Sequence, residues 1–114
     1  MISRKTHGLI DYMAAGMLFA LPRAAGWPRR FRDLLTAAAL GTLGYSLLTR
    51  YELGLVRVLP FRQHLSLDFA QAVTLLAAPL LTFRMRPDIR RAFLGLGLFE
   101  LVVTVLTERD EMTG

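Results

Sequence analysis

His64-Leu65-Ser66-Leu67-Asp68-Phe69 decides the fold, because the chain contains its pattern twice. His7-Gly8-Leu9-Ile10-Asp11-Tyr12 has the same histidine, an aspartate four residues on, and an aromatic after it. In both places an apolar run follows and ends at a proline fifteen residues after the histidine, Pro22 and Pro79. Leu18 and Leu75 keep the same offset of 57. Self-similarity at one fixed offset predicts two copies of one structural unit.

The surrounding composition says what that unit is. Of 114 residues, 54% are hydrophobic and only 20% charged, richer in apolar and poorer in charged residues than an ordinary soluble domain. The charges cluster and leave long windows nearly free of them, which predicts membrane spans rather than the amphipathic helices of a soluble bundle. The net charge of +5 is nearly all arginine, with Lys5 the single lysine. These arginines flank apolar segments without interleaved aromatics, so they read as anchors at lipid headgroups, and nucleic acid is not expected as a partner. The absence of cysteine excludes disulfides, thiolate metal sites and cysteine nucleophiles. The N-terminal Met1-Ile2-Ser3-Arg4-Lys5 resembles the start of a signal peptide, but the run behind it contains Asp11 and belongs to the repeat, so it is expected to be retained.

The expected organisation is one all-α membrane domain over 1–114. Repeat one covers about 1–52, with helices at about 7–22 and 33–49; repeat two covers about 53–114, with helices at about 64–83 and 91–107. Each repeat is a hairpin, and two copies of even topology relate by a pseudo-twofold along the membrane normal. Trp27 is expected at the membrane interface. The connection Tyr51 to Gln63 should lie there too, short and amphipathic or extended. The tail from Glu108 should fray. Small residues four apart (Ala37 with Gly41, Gly16 with Ala20, and the row Ala70, Thr74, Ala78) should form the packing faces. The hairpin loops hold eight arginines and the opposite side six basic residues, so positive-inside counting puts the loops in the cytoplasm and both termini outside.

His7-Gly8-Leu9-Ile10-Asp11-Tyr12, Tyr51-Glu52-Leu53-Gly54-Leu55-Val56-Arg57, His64-Leu65-Ser66-Leu67-Asp68 and Leu98-Phe99-Glu100-Leu101, together with the duplicated hairpin, resemble the SPW-repeat family of small bacterial membrane proteins. The resemblance spans nearly the whole chain. The triplet that names the family reads Leu21-Pro22-Arg23 in one copy and Ala78-Pro79-Leu80 in the other, keeping only the proline. The resemblance implies two transmembrane hairpins in a bacterial cytoplasmic membrane and implies no particular activity.

Up-and-down threading gathers His7, His64, Thr49 and Thr107 at one membrane side, with Asp11, Asp68, Tyr45 and Thr104 about one turn deeper and Glu100 level with Gln71. Histidine and aspartate at i, i+4 share a helix face, and the pseudo-twofold turns both faces to one axis. Ionisable groups within a membrane are costly and therefore mark structure or function. The preferred reading is a polar network of His7, Asp11, Tyr45, Thr49, His64, Asp68, Gln71, Glu100 and Thr104. In it His7 pairs with Asp68 and His64 with Asp11, locking the hairpins together. One alternative is a divalent-metal site of His7, Asp11, His64 and Asp68 with Glu100 as the deep acid. Haem ligated by His7 and His64 is a weaker one. Ion or proton conduction through the same groups is another. Neither a phosphate loop nor a nucleophile elbow is present, so the expectation is a non-enzymatic membrane protein. Its expected partners are the bilayer, a second copy or another membrane protein.

Overall fold

The computed structural model describes residues 1–82 and 84–111. It contains four helices: α1 (Arg4–Ala24), α2 (Arg29–Leu47), α3 (Phe61–Leu81) and α4 (Pro87–Leu106). α1 packs on α2, α3 on α4, and α2 on α3, in a body of 49 × 22 × 18 Å. Helices of 19 to 21 residues rise about 30 Å, the thickness of a bilayer's hydrocarbon core.

Every helix begins three or four residues before the expected start, because capping and proline chemistry, not the apolar window, sets the first turn. Ser3 caps α1, its hydroxyl accepting from the Thr6 N–H at 3.2 Å. α2 and α3 start directly behind Pro28 and Pro60, and Pro87 is the first residue of α4, where its missing N–H and fixed φ cost nothing. The charged residues Arg29, Arg30, Arg62 and Asp88 therefore sit in first turns. At the other ends α1 runs two residues past Pro22, while α2 and α4 stop at Leu47 and Leu106. α3 stops at Leu81; residue 83, its expected end, lies outside the described residues.

The interior divides by position along the bundle. Toward the hairpin loops Leu18, Trp27, Phe31, Leu35, Ala39, Leu75, Met85, Ile89 and Phe93 form an apolar core. Trp27 is thus a buried plug beneath the first loop, 7% exposed, and not an interfacial anchor. The expected small-residue faces are also displaced. Ala37, Gly41, Gly16, Ala20, Ala70 and Thr74 are exposed. The close approach falls at Gly97, where a Cβ would stand 2.8 Å from Leu76 Cγ and 3.1 Å from the Ala72 carbonyl, and at Gly8, 2.8 Å from the Tyr51 ring.

Buried positions recur between the halves. His7, Asp11, Ala15, Leu18 and Pro22 have buried counterparts 57 residues on; Phe31, Leu35, Ala39, Ser46 and Thr49 have them 58 on. The seams match as well. Ile2 N–H donates to Leu106 O and Ile2 O accepts from Glu108 N–H, both at 2.9 Å. Leu59 makes the equivalent pair with Leu48 O and Arg50 N–H, both at 2.7 Å.

The connection after α2 folds back on the helix end instead of lying extended. Leu55 and Val56 N–H groups satisfy the Leu47 carbonyl at 2.8 and 2.9 Å, and Tyr51 is wholly buried with Phe61 and Leu65. Burial pushes the Tyr51 hydroxyl above the usual phenol range. A Cβ at Gly54 would collide with the Thr49 carbonyl, which requires glycine there. The tail is not frayed as far as Glu111. That carboxylate accepts from the Phe61 and Arg62 N–H groups at 2.8 and 3.0 Å, supplying the cap that Pro60 lacks.

The outward faces are apolar: Met13 and Met17 on α1, Leu40 on α2, Phe69 and Val73 on α3, and Leu98, Phe99 and Val105 on α4 are exposed. Among the described residues α3 alone is both long and apolar enough, by length and composition, to cross a membrane. α3 holds two charged residues, Arg62 and Asp68, whereas each of the other three holds four.

Candidate functional site

At the end of the bundle opposite the hairpin loops, α1 and α3 each present histidine and aspartate one turn apart on the inner face. All four residues are buried: His7 is 1% exposed, Asp11 6%, His64 0% and Asp68 4%. The pairing crosses between the halves. His7 Nε2 lies 2.7 Å from Asp68 Oδ2, and His64 Nε2 lies 2.6 Å from Asp11 Oδ2. The contacts within each helix are longer, 3.2 Å from His7 to Asp11 and 3.0 Å from His64 to Asp68. Two nitrogens and two oxygens therefore alternate around a closed ring, all within 4.8 Å of one another.

The outer nitrogens fix which way the rings face. His7 Nδ1 is 2.8 Å from Thr107 Oγ1 and His64 Nδ1 is 2.7 Å from Thr49 Oγ1. Each threonine gives its one hydroxyl proton to the carbonyl four residues back, Thr107 to Val103 at 2.5 Å and Thr49 to Tyr45 at 2.6 Å. The threonine oxygen is then left as acceptor, so each Nδ1 carries a proton and each Nε2 turns to the carboxylates. Phe61 stacks on His64 at 5.8 Å and 22°, and Tyr51 and Tyr45 flank it. Tyr45 also donates its hydroxyl to Asp68 Oδ1.

The symmetry fails one turn deeper. Thr42 donates to Gln71 Oε1 at 3.0 Å, and Gln71 Nε2 donates to Glu100 Oε1 at 2.8 Å. Glu100 Oε2 is buried without a partner. Glu100 lines a cavity of about 10 Å³ shared with His7, Asp11, Asp68 and Thr104, the space of one water.

Of the residues expected in the network, eight take up the ring or its chain to Glu100, while Thr104 touches only the cavity. Glu100 is separate from the four converging atoms, bound instead to Gln71, so it is not a ligand-set member. A haem between His7 and His64 does not fit: both Nε2 atoms are engaged by carboxylates, the ring centroids are 5.4 Å apart, and the adjoining space holds one water. Thr42, Phe61, Thr107 and Tyr51 stood outside the expected network. Thr107 shared the layer of His7 in the threading, and the Thr49/Thr107 correspondence was the signal for its role. Tyr51 sits in a loop whose composition gave no sign of burial.

Chemically, the ring can do two things. Two protons along its four edges close a neutral, hydrogen-bonded set, and the same inward lone pairs can converge on a cation. The chain matches no family model, no curated protein and no solved structure.

Proposed function

We propose that this chain is a small integral membrane protein of a bacterial cytoplasmic membrane, four helices in two repeated hairpins, whose role is structural or partner-binding rather than catalytic. The crossed His/Asp ring is its internal lock. The observation that carries this reading is the inverted distribution of side chains. Around the ring His7, Asp11, Thr42, Ser46, His64, Asp68 and Thr104 are buried, while Leu9, Met13, Leu43, Phe69, Val73, Leu98, Phe99 and Val105 are exposed. A soluble protein would have to leave that belt in water; in a bilayer it faces lipid, and the polar groups find one another. Matching seams and crossed pairs support a pseudo-twofold along the membrane normal. The arginines at the hairpin loops favour a cytoplasmic position for those loops and an extracytoplasmic one for both termini. The resemblance to SPW-repeat proteins belongs to the same reading. The bilayer is the constant partner, with a second copy or another membrane protein as the specific one.

The native absence of cysteine makes the test clean. Single variants Arg29→Cys, Met13→Cys and Glu108→Cys are treated in intact cells with a membrane-impermeant maleimide. Labelling of Glu108→Cys alone is expected, with Arg29→Cys reacting only after the membrane is opened. Labelling of Met13→Cys under both conditions would sink the membrane-spanning reading.

A further inference from the structure

We infer that the ring of His7, Asp11, His64 and Asp68 is a binding site for one zinc-class divalent cation, held by both Nε2 and both Oδ2 atoms. This rests on the reading above that the two hairpins meet through this ring, and it names the ligand that occupies their junction.

Three observations converge on it. The donor set is two imidazole nitrogens and two carboxylate oxygens, a combination that suits Zn²⁺. The four atoms lie within 4.8 Å of one another, with edges of 2.6, 3.0, 2.7 and 3.2 Å; a tetrahedral Zn²⁺ sets neighbouring ligands about 3.4 Å apart, so the ion would widen the ring as it replaces its protons.

The second observation is the outer shell. Each histidine donates its Nδ1 proton to a threonine oxygen that is itself anchored to a backbone carbonyl. Metal-ligating histidines are held in this way, with the remote N–H tied down and the ligating lone pair aimed. Tyr45 steadies the second oxygen of Asp68 in the same manner.

The third is charge. With Nδ1 protonated and Nε2 bare, the histidines are neutral and the two aspartates contribute −2. A dication that displaces the two ring protons leaves the buried set neutral, as a low-dielectric site requires. The cavity beside the ring, lined in part by Glu100, gives room for one water next to the ion.

The experiment uses the full chain purified in detergent without chelator or immobilised metal, then stripped and titrated. About one Zn²⁺ per chain is expected. Zn²⁺ should raise Tm by about 5–10 °C, and Co²⁺ should give the strong visible bands of a four-coordinate site. Asp11→Asn with Asp68→Asn should lose at least about 100-fold in affinity. Thr107→Val, which leaves every ligand in place, should lose about 10- to 100-fold with stoichiometry unchanged. Co²⁺ that stays six-coordinate in the wild type, with a Tm indifferent to Zn²⁺, would overturn the inference and leave the locked bundle standing. Zn²⁺ affinity unchanged in the Asp11→Asn, Asp68→Asn variant would overturn it as well. The lock fails separately, if that variant and the wild type, both metal-free, melt at the same temperature.

Discussion

Asp11 and Asp68 occupy corresponding places in the two halves but do not have equal work. Asp11 is engaged through one oxygen, by His64 and more distantly by His7. Asp68 is met by His7 and Tyr45 through different oxygens, with His64 Nε2 a further 3.0 Å neighbour. Removing one member of a buried charged pair costs about 3–5 kcal/mol, because the partner is stranded. Asp68→Ala should fall at the upper end of that range and Asp11→Ala about 1 kcal/mol below it, since no phenol is orphaned. Thermal melts of the two variants in one detergent decide the order; equal losses would mean that Tyr45 contributes nothing. At this scale the site was largely legible. The spacing of His7 with Asp11 and of His64 with Asp68, repeated at one offset, implies crossed pairs. The Gln71–Glu100 contact was legible from depth, since helical rise sets Glu100 level with Gln71; symmetry gave no guide to it, because the counterpart of Gln71 is Ala14.

Among the elements, the helix boundaries are where sequence patterning misled. Hydropathy marks where a helix can meet lipid, whereas the first turn is set by Ser3, Pro28, Pro60 and Pro87, which stand outside the apolar windows. The same holds for Trp27: its type suggested an interface, yet the turn through Gly26, at φ 65°, folds it under the core. The counterpart of Gly26 in the second hairpin is Arg84, also left-handed at φ 68°. For a residue with a Cβ that conformation costs about 1–2 kcal/mol. Glycine adds about 0.4–1 kcal/mol of freedom to the unfolded chain, so Arg84→Gly should be net stabilising by about 0.5–1 kcal/mol. A higher Tm is the expected reading, and a lower one would show that the arginine side chain earns its place by contacts. Glu111 offers the complementary case. Deleting its carboxylate with Glu111→Ala should cost about 1 kcal/mol, the usual value of a lost N-cap. It should also speed amide exchange at Phe61 and Arg62 while leaving α1 untouched.

For the molecule as a whole, the two seams have a consequence for assembly. Ile2 meets Leu106 and Glu108 as Leu59 meets Leu48 and Arg50, and each half supplies an aspartate and a threonine to the histidine of the other. Every half thus carries both surfaces of a self-complementary contact. Two copies of residues 1–58 alone can form an isologous homodimer with the same bundle, His7 of each copy meeting Asp11 and Thr49 of the other. Crosslinking of that fragment in detergent should yield dimers, and Asp11→Ala should abolish them. Residues 57–114 should dimerise less well, because a second copy brings a second buried Glu100 to the axis where the first half offers only Thr42. Such a dimer would reproduce between two chains the pairing that the single chain makes between its halves. The Gln71–Glu100 arm and the Tyr45 bond to Asp68, with Ala14, Thr42 and Val103 at the corresponding places, are features that a dimer of identical chains could not have acquired on one side only.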